Sequence, residues 1–335
     1  MKIAVIGAGS FGTAMAVVAS RCNNEIVLWA HDPRVAEAIT ATRANPFYLP
    51  QIAIPENVRA TSSLVDAADG CDALFMVVPS HHYRGVLTQL KPHLRAPVNV
   101  ISGTKGIEIE TQQRMSEITE AVLGEALGAF AVLSGPTFAL EVARGDPSAA
   151  VVASRDVDFA QAAQKALSCT SFRLYHSSDV TGVELSGSLK NVIAIAAGVL
   201  EGLGLGYNTT AALITRGLHE MTRLGIALGG RLETFAGLAG MGDLVLTCTG
   251  SLSRNRSLGV ALGKGKKLED ILAETRTVAE GVKTAKAVRE IALRHDIDMP
   301  IATEMHRVLY EGEAPPLALQ RLMTRSLKAE SNFSG

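Results

Sequence analysis

A doubly wound, mostly parallel α/β domain followed by an all-α domain is the fold that this sequence predicts, on two observations. Up to about residue 180, short unbroken apolar runs alternate with helical periods; from there on only helical periods remain. Strands buried on both faces read as continuous aliphatic runs, and a parallel sheet flanked by helices is what covers both faces. A length of 335 residues also exceeds one small core, so the change of pattern is read as a boundary between domains 1–180 and 181–330.

The strand runs are 3–6, 26–29, 74–78, 98–101, 131–133 and 149–152, with helical stretches at 14–22, 34–43, 82–90 and 115–123 between them. The second half reads as helices over 183–200, 209–224, 268–273, 278–295 and 301–309, and the polar end 329–335 reads as frayed. With 47% hydrophobic and 19% charged residues the chain is neither disordered nor a coiled coil. A net charge of −1 offers no general attraction to nucleic acid or a membrane surface. Four cysteines without a C-x-x-C pair read as free thiols in a reducing compartment. His81 and His82 read as neighbours on an extended segment pointing opposite ways, so no metal is assigned. The chain enters a strand at Lys2 without a basic, then apolar, leader, which gives a cytoplasmic expectation. The apolar run 189–200 carries Lys190 and Asn191 and is read as too short to span a bilayer.

Gly7-Ala8-Gly9-Ser10-Phe11-Gly12 fits G-x-G-x-x-G in the context that gives the string meaning: a strand before it, a helix opening from it, a second strand after. Gly7 permits the tight turn, Gly9 lets the backbone approach a pyrophosphate, and Gly12 lets helix pack on strand. The helix N-terminus then presents free N–H groups to the phosphates, as in Rossmann domains. Gly202-Leu203-Gly204-Leu205-Gly206 follows a helix instead and reads as a loop. At the end of the second strand stands His31, with Asp32 as N-cap and Pro33 at N1 of the next helix. A non-acidic His31 with Arg34 nearby favours a 2′-phosphate, hence NADP(H), with NAD(H) accepted.

A cofactor does not name a reaction, so the reacting groups must be found elsewhere. Lys105, in the glycine-flanked loop after strand 98–101, stands at the carboxyl edge of the sheet, where ligands bind. Ser134-Gly135-Pro136-Thr137 follows strand 131–133; it either presents N–H groups and a hydroxyl there or is an ordinary turn with Thr137 capping a helix. Lys190 lies in a strongly apolar helix, where an unpaired lysine is costly and burial lowers its pKa into the range of proton transfer. Gly187, Lys190, Asn191, Ala194 and Gly198 share a small-residue stripe that lets another surface or a ligand approach. Asp243, set among glycines and apolar residues, is the natural partner of Lys190. Ser253-Arg254-Asn255-Arg256 suits a phosphate or is a solvated basic turn, and Lys264-Gly265-Lys266-Lys267 reads as surface charge.

Taken in order, GAGSFGTA, VVPSH, GTKG, SGPTFA, LKN, GMGDLVLTCT, SRNR and VAEG resemble the bacterial NAD(P)-dependent glycerol-3-phosphate dehydrogenases from Lys2 to about Lys328. The resemblance implies a C-terminal domain like that of 6-phosphogluconate dehydrogenase. It also implies reversible reduction of dihydroxyacetone phosphate to sn-glycerol 3-phosphate for glycerophospholipid synthesis, and a homodimer. By the same resemblance Lys190 is the acid/base, oriented by Asp243 and Asn191. Lys105, Gly135, Thr137, Asp243, Ser253, Arg254 and Asn255 line the substrate. Ser10, Phe11, His31, Tyr48, Lys105, Ala139, Arg254, Val278 and Glu280 touch the cofactor. Rival readings are a β-hydroxyacid or ketopantoate-type reductase and a catalytically silent NADP(H) sensor; a UDP-sugar dehydrogenase is disfavoured because no cysteine sits in a suitable glycine-rich loop.

Overall fold

The structure, a computed structural model, describes residues 1–94, 97–274, 279–327 and 329–330. The chain forms two compact units, residues 1–105 with 113–183, and residues 106–112 with 184–335. The excursion of 106–112 into the second unit has a simple cause: Ile107 is buried in that unit's core, and Gln112 donates to Glu290 at 2.7 Å.

The first unit alternates strands and helices in the order β1 (Lys2–Ile6), α1 (Ser10–Arg21), β2 (Glu25–Trp29), α2 (Pro33–Thr42), β3 (Ala44–Asn45), β4 (Leu49–Ala53), β5 (Val58–Thr61), α3 (Leu64–Ala68), β6 (Ala73–Met76), α4 (Ser80–Leu90), β7 (Val98–Ser102), α5 (Met115–Leu123), β8 (Leu127–Ser134), α6 (Ala139–Arg144), β9 (Ser148–Ser154), α7 (Val157–Leu167) and β10 (Phe172–Ser177). One sheet of order β10-β9-β8-β7-β6-β1-β2-β5 holds eight strands, and β3 and β4 pair separately. The apolar runs of the sequence are its inner strands. The edge strands β5 and β10 are not among those runs because they mix buried and more exposed residues instead of running unbroken. The sheet is parallel except at β8–β9. The link between those two contains only the six-residue α6, about 9 Å of helix against the roughly 23 Å of a seven-residue strand, so the chain turns back beside β8 rather than crossing over.

His81 and His82 lie in the first turn of α4, not on an extended segment, and their rings meet at 4.0 Å. Asp32 caps α2 as expected, accepting from the Arg34 N–H.

The second unit is helical. Its core helix α8 (Val180–Gly202) is followed by α9 (Tyr207–Ala227), α10 (Leu232–Ala236), a π-helical turn at Leu238–Gly242, α11 (Asp243–Thr249), α12 (Arg254–Gly263), α13 (Leu268–Glu274), α14 (Glu280–Arg294), α15 (Pro300–Tyr310) and α16 (Pro315–Met323). The run read as too short for a bilayer belongs to a helix of 23 residues, long and apolar enough to span one, but its apolar window is wholly buried in the protein. The small-residue stripe of α8 receives another helix. A Cβ on Gly198 would stand 2.0 Å from the Arg256 carbonyl oxygen, and one on Gly259 would stand 2.0 Å from that of Ile195. Gly202 and Gly263 meet the same way one turn on, so α8 and α12 touch backbone to backbone.

Glu220 of α9 is fully buried and accepts from the Ile301 and Ala302 N–H groups at 2.7 and 3.2 Å, capping α15 from a neighbouring helix. Burial pushes its carboxyl up to about 8, although both N–H bonds pull it down.

Replacing Gly198 by leucine drives a side chain into the α12 backbone; a fall in stability of about 2 kcal/mol or more is expected, read as a lower melting temperature, and an unchanged melting curve contradicts this packing. Glu220 keeps its proton in the folded chain between its ordinary 4.5 and about 8, where the unfolded chain has lost it. Its contribution to stability is therefore full at low pH and lost as pH rises through about 8. Glu220→Gln flattens the decline in melting temperature across that window, and identical pH slopes in the two proteins refute the assignment.

Candidate active site

In the first unit β1, β2, β6, β7 and β8 are mutually parallel, so their carboxyl ends form one edge. Gly7, His31, Lys105 and Gly135 all follow strands at that edge. The glycine loop has the shape that its spacing implies. Gly7 has φ +123°, and a Cβ there would stand 2.8 Å from the Val77 carbonyl oxygen. A Cβ on Gly12 would strike the Gly7 carbonyl oxygen at 1.8 Å, the close helix–strand contact. At Gly9, the N-cap of α1, a Cβ meets nothing within 4 Å. Open space in front of an uncapped helix N-terminus fits a dinucleotide's pyrophosphate.

Two supports of this loop were missed in the sequence. Asn45, buried in β3, donates to the Ala8 carbonyl and the Thr13 hydroxyl, both at 2.9 Å. Ser10 donates its hydroxyl to the Tyr48 carbonyl at 2.9 Å, which brings Tyr48 to the loop through its backbone. The only advance signal was an asparagine at the head of Asn45-Pro46-Phe47-Tyr48. Phe11 lies over Gly103, where a Cβ would stand 3.0 Å from its ring. His31 is exposed, edge-on to Trp29 at 5.8 Å. Arg34 is paired with Asp32 at 2.6 Å and holds that carboxyl below its usual range.

Lys105 reaches the Gly135 carbonyl oxygen at 3.4 Å, so the GTKG and SGPTFA loops converge. Gly135 has φ +154°, and its α-carbon faces Ala150 of β9 so closely that a Cβ would stand 2.8 Å away. Thr137 does not cap α6; Phe138 is the N-cap, and the Thr137 hydroxyl folds back onto the Gly135 carbonyl oxygen at 3.1 Å. Ala139 opens α6.

The second unit holds a buried lysine–carboxylate pair. Lys190, 5% exposed on α8, donates from Nζ to Asp243 Oδ1 at 2.7 Å and to Thr247 Oγ1 at 2.6 Å. Thr247, one turn after Asp243, donates onward to the Asp243 carbonyl oxygen at 2.6 Å. The sequence reading missed it, although the i, i+4 spacing from Asp243 was visible. The partnership of Lys190 with Asp243 is as expected. Asn191 does not contact Lys190 as a second orienting group. It accepts from Asn255 at 3.0 Å, and Asn255 Oδ1 in turn accepts from the Gly281 N–H at 3.0 Å, joining α8, α12 and α14. Ser253 is the N-cap of α12, accepting from the Arg256 N–H, with Arg254 as the first helical residue. Glu280 opens α14, and Val278 lies outside the described residues. Burial pushes the thiol of Cys248, beside the lysine, up to about 12.

A charged amine beside a carboxylate in a dry site, next to a helix N-terminus with an arginine, can exchange a proton with an oxygen substituent of an anionic substrate.

Residues 2–160 match the family described as NAD-dependent glycerol-3-phosphate dehydrogenase N-terminus, and residues 179–320 match its C-terminus. Over 332 residues, 98% of both chains, the sequence is 51% identical to a glycerol-3-phosphate dehydrogenase (NAD(P)+) of Koribacter versatilis. It is 52% identical over 330 residues to that of Geobacter sulfurreducens, again 98% of each chain. The crystal structure of glycerol-3-phosphate dehydrogenase from Coxiella burnetii matches with a TM-score of 0.93 and 40% identity, over 97% of this chain and 99% of that one. With a G-x-G-x-x-G loop in its first unit and a buried lysine–aspartate pair in its second, the chain belongs to the NAD-dependent glycerol-3-phosphate dehydrogenase family.

Proposed function

We propose that this chain catalyses the reversible NAD(P)H-dependent reduction of dihydroxyacetone phosphate to sn-glycerol 3-phosphate. The buried Lys190–Asp243–Thr247 cluster carries the reading. Reducing a ketone develops negative charge on its oxygen. Lys190 as ammonium stabilises that charge at C2 and then delivers a proton to it; in the reverse direction neutral Lys190 takes the C2 hydroxyl proton. Asp243 and Thr247 stand in for water around Nζ and hold the amine in one place. A nicotinamide dinucleotide, held by the Gly7–Gly12 loop, supplies or accepts the hydride.

The substrate phosphate is assigned to Arg254 and the N-terminus of α12, where a guanidinium and helix N–H groups come together. The Asn191–Asn255 bond ties that helix end to the turn of α8 bearing Lys190, which fixes the span from phosphate to C2 oxygen. Lys105, Gly135, Thr137 and Ser253 are assigned to the same substrate, and Ser10, Phe11, His31, Tyr48, Ala139, Val278 and Glu280 to the cofactor, on the motif resemblance. The non-acidic His31 supports NADP(H) over NAD(H), and the Asp32–Arg34 pair means that a 2′-phosphate shares Arg34 with a carboxylate. Cytoplasmic location, homodimer formation and supply of glycerophospholipid synthesis rest on that resemblance too. A silent sensor would leave a buried lysine–aspartate pair without use.

Lys190→Ala retains cofactor affinity but loses roughly 10²–10⁴-fold in turnover; a variant with near-normal kcat sinks the acid/base role. The assay that tests the whole reading follows oxidation of NADPH and of NADH with dihydroxyacetone phosphate and with unphosphorylated dihydroxyacetone. Turnover is expected with the phosphate ester, faster with NADPH, and Arg254→Ala weakens use of the ester far more than use of the free ketone. Cofactor binding without reduction of the ester rejects the function, and equal losses on both ketones reject the phosphate role of Arg254.

A further inference from the structure

Between Gly7 and Gly9 stands Ala8, whose carbonyl is turned into the protein. Ala8 is buried, and its oxygen accepts from Asn45 Nδ2 at 2.9 Å. Thr13 reaches the same oxygen only at 3.5 Å, too far for its hydroxyl to hold the carbonyl alone. The Asn45 amide is itself fixed end for end. Its Oδ1 accepts from the Tyr48 N–H at 3.3 Å, which leaves Nδ2 for Ala8 and Thr13. Asn45 is wholly buried, and the β3–β4 hairpin that carries it is tied at its base. There the Arg43 carbonyl accepts from the Ile54 N–H at 2.8 Å, and the Arg43 guanidinium donates to the Ile54 and Val58 carbonyls, each at 3.1 Å.

A trans peptide points its C=O and its N–H in opposite directions. Holding the Ala8 carbonyl inward therefore turns the Gly9 N–H outward, away from the buried asparagine. Gly9 is half-buried, a Cβ on it meets nothing within 4 Å, and its N–H finds no acceptor among the described residues. The glycine motif does not select this orientation. Flipping the peptide carries Gly9 from φ −71° to the positive side, which glycine adopts about as readily. A bond from outside the motif has to decide between the two, and Asn45 supplies it.

We propose that Asn45 is a positioning residue for the cofactor: by clamping the Ala8 carbonyl it keeps the Gly9 N–H facing outward as a donor to the dinucleotide's pyrophosphate, and so sets cofactor affinity. The inference rests on the dinucleotide reading of the loop. It requires an amide at this position and not merely its shape. An aspartate is isosteric, and one of its oxygens still accepts from the Tyr48 N–H. The other then faces the Ala8 carbonyl oxygen with no proton between them, which drives the peptide to turn over. A buried carboxyl without a cation beside it takes up a proton readily, and the protonated group regains the lost donor.

The test titrates full-length wild type and Asn45→Asp with NADPH and with NADH across a pH series, following cofactor fluorescence, and measures kcat at saturating cofactor. At neutral pH, Asn45→Asp is expected to bind both cofactors about 10- to 100-fold more weakly, the worth of one hydrogen bond to a charged group. Relative to wild type at the same pH, the loss is expected to shrink as acid protonates the new carboxyl. Turnover at saturation is expected to stay within about threefold of wild type, a change in KM and not in kcat. In the wild type, hydrogen exchange at the Gly9 amide is expected to be fast in the free protein and slowed by NADPH. Equal affinity in the two proteins overturns the proposal. So does a loss that acid does not relieve, a lowered melting temperature with unchanged affinity, or a Gly9 amide protected without cofactor. A wild type that binds neither cofactor rejects the dinucleotide reading, and the proposal with it. The Gly9 exchange decides by itself if Asn45→Asp does not fold.

Discussion

Burying an ammonium group strips it of water at a cost of several kcal/mol, and a burial of that kind persists only where a carboxylate and further hydrogen bonds replace the solvent. Lys190 on α8 meets this requirement through Asp243 and Thr247, and much of the second unit is arranged around meeting it. Asp243 opens α11 directly after a π-helical turn, the kind of irregularity that recurs at functional sites. Gly240 within that turn crosses so close to Phe235 that a Cβ would stand 2.1 Å from its carbonyl oxygen. Four residues on from Asp243, Thr247 falls on the same face and gives Nζ a second acceptor.

The second constraint is the approach of α8 to α12. Without side chains at Gly198, Gly202, Gly259 and Gly263 the two backbones come into direct contact, and Asn191 and Asn255 can then bond across them. Asn255 also takes the Gly281 N–H, so a single amide side chain joins three helices within one residue of Lys190 and Arg254. Asn191 serves this junction and does not touch the lysine side chain. That makes the spacing of Lys190 and Arg254 a property of helix packing, which is stiffer than a loop.

The first unit solves a different problem, holding a glycine loop open. Its glycines divide the work: Gly7 and Gly12 are crowded by backbone, while Gly9 faces space. Rigidity comes from outside the motif, from Asn45 on the β3–β4 hairpin and from the Ser10–Tyr48 bond. A glycine loop needs such supports because glycine alone imposes no shape.

By itself the sequence determined the inner strands, the change from alternating to all-helical pattern, the glycine loop between its strand and helix, and the pairing of Lys190 with Asp243. These are legible because local order dictates them: an unbroken aliphatic run belongs to a doubly covered strand, and an apolar helix with one lysine needs a carboxylate. Tertiary structure decided the direction of β9, the edge strands β5 and β10, the helical setting of His81 and His82, and the place of residues 106–112 in the second unit. It also decided that Thr137 folds back on Gly135, that Asn191 bonds Asn255, and that a helix fills the small-residue stripe. Each of these depends on which distant segment comes alongside. An aliphatic run has the same pattern in either direction, an edge strand shows the mixed polarity of a loop, and a glycine stripe says that something approaches closely without saying what.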